Sequence, residues 1–218
     1  MIAVKGGSSA LPYDMLRTRI LQQARQNGWR RVGLVSPTAG CGKTTTAANL
    51  AFAFRRQRDV RSIILDLDLR RPCLNVVLGQ DARGNIGDVI EGRKDFRDLA
   101  LRLGDNVALG LNDSATETSS EILQSRQAQA RLAEVEAQLD PDIVLCDLPP
   151  MMATDDNFGF LSNVDCVLLM VAAEETQTAQ IEATLRHLGD LTTVMGIILS
   201  KCRHVAGAYG YDDQYHYA

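Results

Sequence analysis

The stretch "RRVGLVSPTAGCGKTTTAANLA", Arg30 to Ala51, decides how the rest of the chain is read. Arg30 to Ser36 is short and apolar, as a buried strand should be, and a helix is expected to start near Gly42. Between them lies most of a phosphate-binding loop. The strict pattern G-x-x-x-x-G-K-[ST] fails at its first glycine, where Pro37 stands, but Gly40-Cys41-Gly42-Lys43-Thr44 keeps the second half intact. Glycines let backbone N–H groups converge on an anion, and the helix N-terminus adds its positive dipole end. A Lys at this position supplies a point charge to the outer phosphates, and the Thr44 hydroxyl is placed to ligate Mg²⁺. A glycine-rich turn with an incidental Lys-Thr explains the same letters without function, but not their strand–loop–helix setting.

Outward from this loop, apolar strand-sized runs alternate with helical ones. Strands are expected at Ser62 to Asp68, Asn106 to Leu111, Asp142 to Asp147, Asp165 to Ala173 and Val194 to Ser200. Helices are expected over Tyr13 to Gln26, Ile86 to Leu103, Glu121 to Leu139 and Thr176 to Leu188. Continuous apolar strands separated by helices predict a mostly parallel α/β sheet covered on both faces, in one P-loop-type domain. The expected division is a flexible start at 1–10, a domain over 11–205 and a flexible tail over 206–218.

Acidic residues close two of these strands. In "ILDLDLRRP", Asp66 and Asp68 are two positions apart on an extended segment, so both should project from one face, about 6.5 Å apart. In "VLCDLPP", Asp147 ends an apolar run. A lone strand-terminal Asp is ordinarily a turn or cap, but three of them beside a phosphate loop point to metal and phosphoryl chemistry.

The composition narrows the classes further. The chain has 218 residues, 45% of them hydrophobic, enough for one core. No apolar run is long enough to span a bilayer, and the N-terminus has no secretory signal. The five cysteines are scattered without C-x-x-C pairing, which argues for reduced thiols in the cytosol, and the three histidines give no ligand spacing. A net charge of −4 disfavours a nucleic-acid partner. Yet residues 1–72 carry 13 Lys and Arg against 4 Asp and Glu. This asymmetry reads either as solvated surface plus a phosphate site, or as a basic face for an acidic neighbouring copy or anionic lipid.

Four of the five tyrosines, Tyr209, Tyr211, Tyr215 and Tyr217, crowd into the last twelve residues, "GAYGYDDQYHYA". Flanked by glycine and aspartate, they suit a core poorly. They read as a mobile segment or as a sticky terminus for a partner.

Phosphate loop, "LDLDLRRP", "VLCDLPP" and a tyrosine-rich tail, in that order, resemble the bacterial tyrosine kinases of capsule and exopolysaccharide synthesis, from "MLRTRI" to the end of the chain. The family's second motif, a hydrophobic triplet and D-x-D-x-R, is matched by Ile63, Ile64, Leu65, Asp66, Asp68 and Arg70. Its third is matched by Asp147, Pro149 and Pro150. The resemblance implies a deviant P-loop ATPase fold and transfer of the ATP γ-phosphoryl to tyrosine. It assigns nucleotide contacts to Ala39, Gly40, Cys41, Gly42, Lys43, Thr44, Thr45, Arg70 and Ser200. It assigns metal contacts to Thr44, Asp66, Asp68 and Asp147, catalysis to Lys43, Asp66, Asp68 and Asp147, and phosphate acceptance to the four tail tyrosines. Ala39 replaces a frequent family Pro, and Ser200 an adenine-reading Asn.

The family's oligomer-contact pattern E-x-x-R-x-x-R reads Leu11, Asp14 and Arg17 here, leaving Arg17 as the shared contact residue. A homo-oligomer with its tail delivered in trans is implied, together with a separate transmembrane activator and a place at the inner face of the membrane. The partitioning ATPases are the near alternative, as switches that bind and release a membrane partner without tyrosine transfer. They carry a lysine where this chain has Thr38.

Overall fold

The structure is a computed structural model and describes residues 10–153 and 155–203. Seven strands form one sheet in the order β3-β4-β2-β5-β1-β6-β7. They are β1 (Arg31–Val35), β2 (Ser62–Asp66), β3 (Leu101–Arg102), β4 (Val107–Gly110), β5 (Ile143–Asp147), β6 (Cys166–Ala172) and β7 (Thr193–Ser200). All pairs are parallel except β3 with β4. The expected mostly parallel sheet with helices on both faces is what forms.

Helices α1 (Leu11–Asn27), α2 (Lys43–Arg56) and α3 (Leu74–Leu78) cover one face. The other is covered by α4 (Ile86–Ile90), α5 (Phe96–Leu99), α6 (Ser119–Leu123), α7 (Arg126–Leu139), α8 (Asp156–Phe160) and α9 (Thr178–Leu191). Strand side chains alternate between the two cores. Leu34, Ile64 and Leu145 pack on the α2 side, while Val35, Leu65 and Cys146 pack on the other. The next residues of the α2-facing set are Ser36, Asp66 and Asp147, so the side-chain period of two turns three polar groups toward the start of α2.

Two expected helices divide. Ile86 to Leu103 becomes α4, α5 and the short edge strand β3, because Gly92 sits at φ +74° and Asp95 caps a new helix, accepting from Arg97 N–H. Glu121 to Leu139 breaks between α6 and α7, where Ser125 adopts an extended backbone. Sequence reasoning assigned nothing at α3 or α8, elements of five residues, and read β3 as the end of a helix.

Candidate nucleotide site

The phosphate loop runs from Ser36 to the first turn of α2. Gly40 and Gly42 sit at φ +81° and +83°, left-handed conformations that side chains strain to adopt. Gly42 occupies the N-cap of α2, and no side chain caps it. The first N–H groups of a fourteen-residue helix therefore face the loop, with the helix dipole behind them. Lys43 is buried at 6% exposure and its ammonium donates to Ser36 Oγ at 2.9 Å. The Ser36 hydroxyl in turn donates to Thr38 C=O at 2.7 Å. Ser36 was missed in the sequence; only its place at the strand end could have marked it.

The acids meet at the same edge. Asp66 and Asp147 are register partners across β2 and β5, and both are fully buried. Asp66 Oδ2 accepts from Leu74 N–H at 3.1 Å, but its Oδ1 has no donor. Neither oxygen of Asp147 has one at hydrogen-bond geometry, although the Thr44 hydroxyl stands close enough to favour its ionised form. Burial pushes the Asp147 carboxyl up to about 6, against the pull of Lys43 and Thr44 and with the push of Asp68. Burial, then the charge of Asp147, holds Asp66 well above the usual carboxylate range. Asp68 is also raised, by burial first, while Lys43 draws it down.

The expectation that Asp66 and Asp68 share an extended strand needs correcting. β2 ends at Asp66, and Asp68 lies beyond it in a turn, where its Oδ1 accepts from Arg71 N–H at 3.2 Å. The carboxyl is half-buried and within reach of Lys43's field, so the three acids still share one neighbourhood.

Buried carboxylate oxygens without donors are expensive unless a cation or proton satisfies them. Asp147, Asp66 and Thr44 offer oxygen atoms, the donor type magnesium prefers. The ion characteristically takes only one or two carboxylates and fills its other positions with phosphate and water. Among the described residues no three His, Cys, Asp or Glu side chains form a group that could hold a metal by themselves.

Two residues assigned to the nucleotide are engaged elsewhere. Arg70 reaches the buried carboxylate of Asp156, with Nε 3.0 Å from Oδ2, and donates to Ser120 Oγ at 2.9 Å. Ser119 and Ser120 both donate to Asp156. The D-x-D-x-R turn is thus latched to α6 and α8 rather than aimed at the loop, and Asp156 carried no motif that pointed to it. Ser200, at the end of β7, donates its hydroxyl to Cys41 C=O at 2.8 Å, buttressing the phosphate loop from below. Cys41 is buried against Thr38 and Thr176. Arg17 serves within the chain: its guanidinium bonds Asp14 at 3.1 Å and Ala53 C=O at 2.9 Å, joining α1 to α2. Another residue at the site that the sequence did not signal is Cys73, the N-cap of α3, whose thiol meets the Thr44 hydroxyl. The tail tyrosines lie outside the described residues.

Fold and site together define a P-loop nucleotide-binding α/β protein. A family model confirms the class and makes it specific. The chain belongs to the CobQ/CobB/MinD/ParA nucleotide-binding domain family, matched over residues 32–209. It is 27% identical over 205 residues to a putative tyrosine-protein kinase, EpsB, of Ralstonia nicotianae, covering 92% of this chain but 26% of that protein. The chain thus spans about a quarter of this relative's length. The kinase domain of the Escherichia coli tyrosine kinase ETK superimposes with a TM-score of 0.80 at 22% identity, covering 94% of this chain and 82% of that one. Cobyrinic acid a,c-diamide synthase from Mycobacterium smegmatis, with an ATP analogue and magnesium bound, shares the fold at TM-score 0.67 and 20% identity, covering 81% and 76%.

Proposed function

We propose that this chain is an ATP-dependent protein-tyrosine kinase domain that phosphorylates its own C-terminal tyrosines in trans and so regulates capsule or exopolysaccharide synthesis. The observation that carries the reading is the set of buried acid oxygens without donors, both of Asp147 and Oδ1 of Asp66, beside a buried Lys43 at an uncapped helix start. The α2 N–H groups and Lys43 hold the triphosphate, and Thr44 and Asp147 hold magnesium, with Asp68 supporting them. Bound there, magnesium would neutralise charge on the phosphates. Asp66 Oδ1, without a donor, orients the tyrosine hydroxyl and accepts its proton late in the transfer. Its raised pKa suits that role. The rate gain comes from holding phosphate and acceptor in line.

In this reading Arg70 positions the Asp68 turn through Asp156, and Tyr209, Tyr211, Tyr215 and Tyr217 serve as redundant acceptors. Each phosphotyrosine adds about −1.5 to −2 charges, so a site filled with ATP phosphates repels a modified tail and the assembly disperses. The chain works with a membrane-spanning activator at the inner face of the membrane. A chain whose four tyrosines are Phe should then stay oligomeric on a sizing column in the presence of ATP, while wild type disperses.

A second reading is favoured by the family itself, which includes MinD and ParA. It is an ATPase switch that releases phosphate without tyrosine transfer. Against it, Thr38 stands where those proteins carry lysine, and its hydroxyl faces Cys41. Incubation with γ-labelled ATP separates the two. Label on protein that disappears with the four Tyr→Phe changes supports the kinase, and free phosphate alone supports the switch.

A further inference from the structure

The two acid-bearing exits from the sheet are braced by adjacent residues of one short helix. Asp66 and Asp147 stand opposite each other on β2 and β5, about 4.8 Å apart, the spacing of neighbouring strands. Like charges so placed repel. Each acid is also the last residue of its strand, where the ladder that would hold it stops. Past Asp147, Pro149 and Pro150 have no N–H, so that segment lacks two of the donors that would tie it down.

Helix α8 supplies the missing ties in two directions. Asp156 and Asn157 are both fully buried. Successive residues of a helix point about 100° apart, so the pair can grip two different segments. Asp156 takes the Asp66 side. Its carboxylate receives Arg70 Nε, 3.0 Å from Oδ2, and the hydroxyls of Ser119 and Ser120. Arg70 lies on the turn that carries Asp68. Asn157 takes the Asp147 side, where its Nδ2 donates to Pro149 C=O at 2.7 Å. Just beyond that carbonyl, Met151 N–H reaches Ser36 C=O and Met152 N–H reaches Pro37 C=O at the phosphate loop. The helix is itself seated on α6 at Gly159, where a Cβ would stand 2.2 Å from Gln124 Cγ.

A buried ion pair adds little net stability over apolar packing of the same volume, so stability alone does not account for this arrangement. We propose that Asp156 and Asn157 are positioning residues that fix the two acid-bearing segments relative to each other and thereby make the site prefer magnesium over the larger calcium ion. The preference rests on the reading that Asp147 and Thr44 hold magnesium with ATP; the bracing does not. Magnesium demands near-octahedral ligands at about 2.0–2.1 Å, whereas calcium accepts looser sets at about 2.3–2.6 Å. A brace that keeps the carboxyls from spreading favours the smaller ion, and loosening it penalises magnesium first.

The test has a nucleotide arm and a nucleotide-free arm, both on the full chain well below its unfolding temperature. Calorimetry gives the affinity for ATP with magnesium and, separately, with calcium. Asp156→Asn and Asn157→Leu should each weaken binding about ten-fold with magnesium, and by no more than about two-fold with calcium. Arg70→Met should behave as Asp156→Asn, while Arg70→Lys, which retains a cation for Asp156, should recover most of the magnesium affinity. Without nucleotide, hydrogen exchange should quicken about ten-fold over residues 67–74 in Asp156→Asn and over 148–152 in Asn157→Leu, each leaving the other segment at the wild-type rate.

Equal losses with both ions would mean that the two residues serve the fold alone, and would overturn the proposal. Exchange unchanged in both variants would overturn it whatever the nucleotide does. No uptake of ATP by the wild type with either ion would refute the nucleotide reading, and the magnesium preference with it, while quickened exchange in the variants would still uphold the brace.

Discussion

Two borders of the same sheet break opposite rules. Where β1, β2 and β5 end, the protein buries charge without partners: Asp147 and one oxygen of Asp66 are sealed from water with no donor. Along β7 it exposes apolar surface without cover at Ile197 and Leu199. A sequence chosen for stability alone would correct both. The first border fits a cation and phosphates.

The contrast sharpens most at Lys43. If the acid border exists to receive a magnesium–triphosphate, Lys43→Met should weaken ATP binding by about a hundred-fold or more, a loss of about 3 kcal/mol, measured by calorimetry. It should also leave hydrogen exchange along β7 untouched.

Asp147 separates function from stability. Its carboxyl is pushed up to about 6 by burial, so the folded protein holds that proton more tightly than the unfolded chain does. This stabilising contribution is complete below the ordinary carboxylate pKa of about 4 and is lost as pH rises through about 6. Asp147→Asn should therefore make the nucleotide-free protein more stable near neutral pH, by on the order of 1–2 kcal/mol in denaturant unfolding. The same change should abolish the magnesium dependence of ATP binding. In the wild type, magnesium-dependent binding should fall as pH drops through about 6, because the protonated acid no longer draws a cation.

The smallest effect is expected where the two borders touch. Ser200, the last residue of β7, gives its hydroxyl to Cys41 C=O. Ser200→Ala should cost about 1 kcal/mol of stability by thermal unfolding and lower ATP affinity only a few-fold.

The two borders also differ in how far the sequence disclosed them. The acid border was legible because glycine spacing, a Lys-Thr pair and strand-terminal acids are local signals whose meaning does not depend on packing. The sheet and its order of strands and helices followed from apolar runs of strand and helix length. What stayed hidden depends on neighbours distant in the chain. Arg70 carries the family pattern, yet its partner Asp156 lies 86 residues away and finds it only through the packing of α6 and α8. Ser200 was placed at the nucleotide by resemblance, but its hydrogen bond to the loop backbone at Cys41 C=O, 159 residues away, was not signalled. Arg17 was read as an oligomer contact, and its intrachain bond to Ala53 C=O on α2, 36 residues away, had no signal in the sequence. Five-residue helices such as α3 and α8 are too short for a period of 3.6 to show.

The central claim is that the sealed acids at the ends of β2 and β5 and the α2 loop form one receptor for ATP with magnesium. Calorimetric titration of ATP into the wild-type chain, with and without magnesium, tests it most directly. The account predicts saturable one-to-one uptake that requires magnesium. Absence of uptake, or uptake of equal strength without the ion, would contradict it.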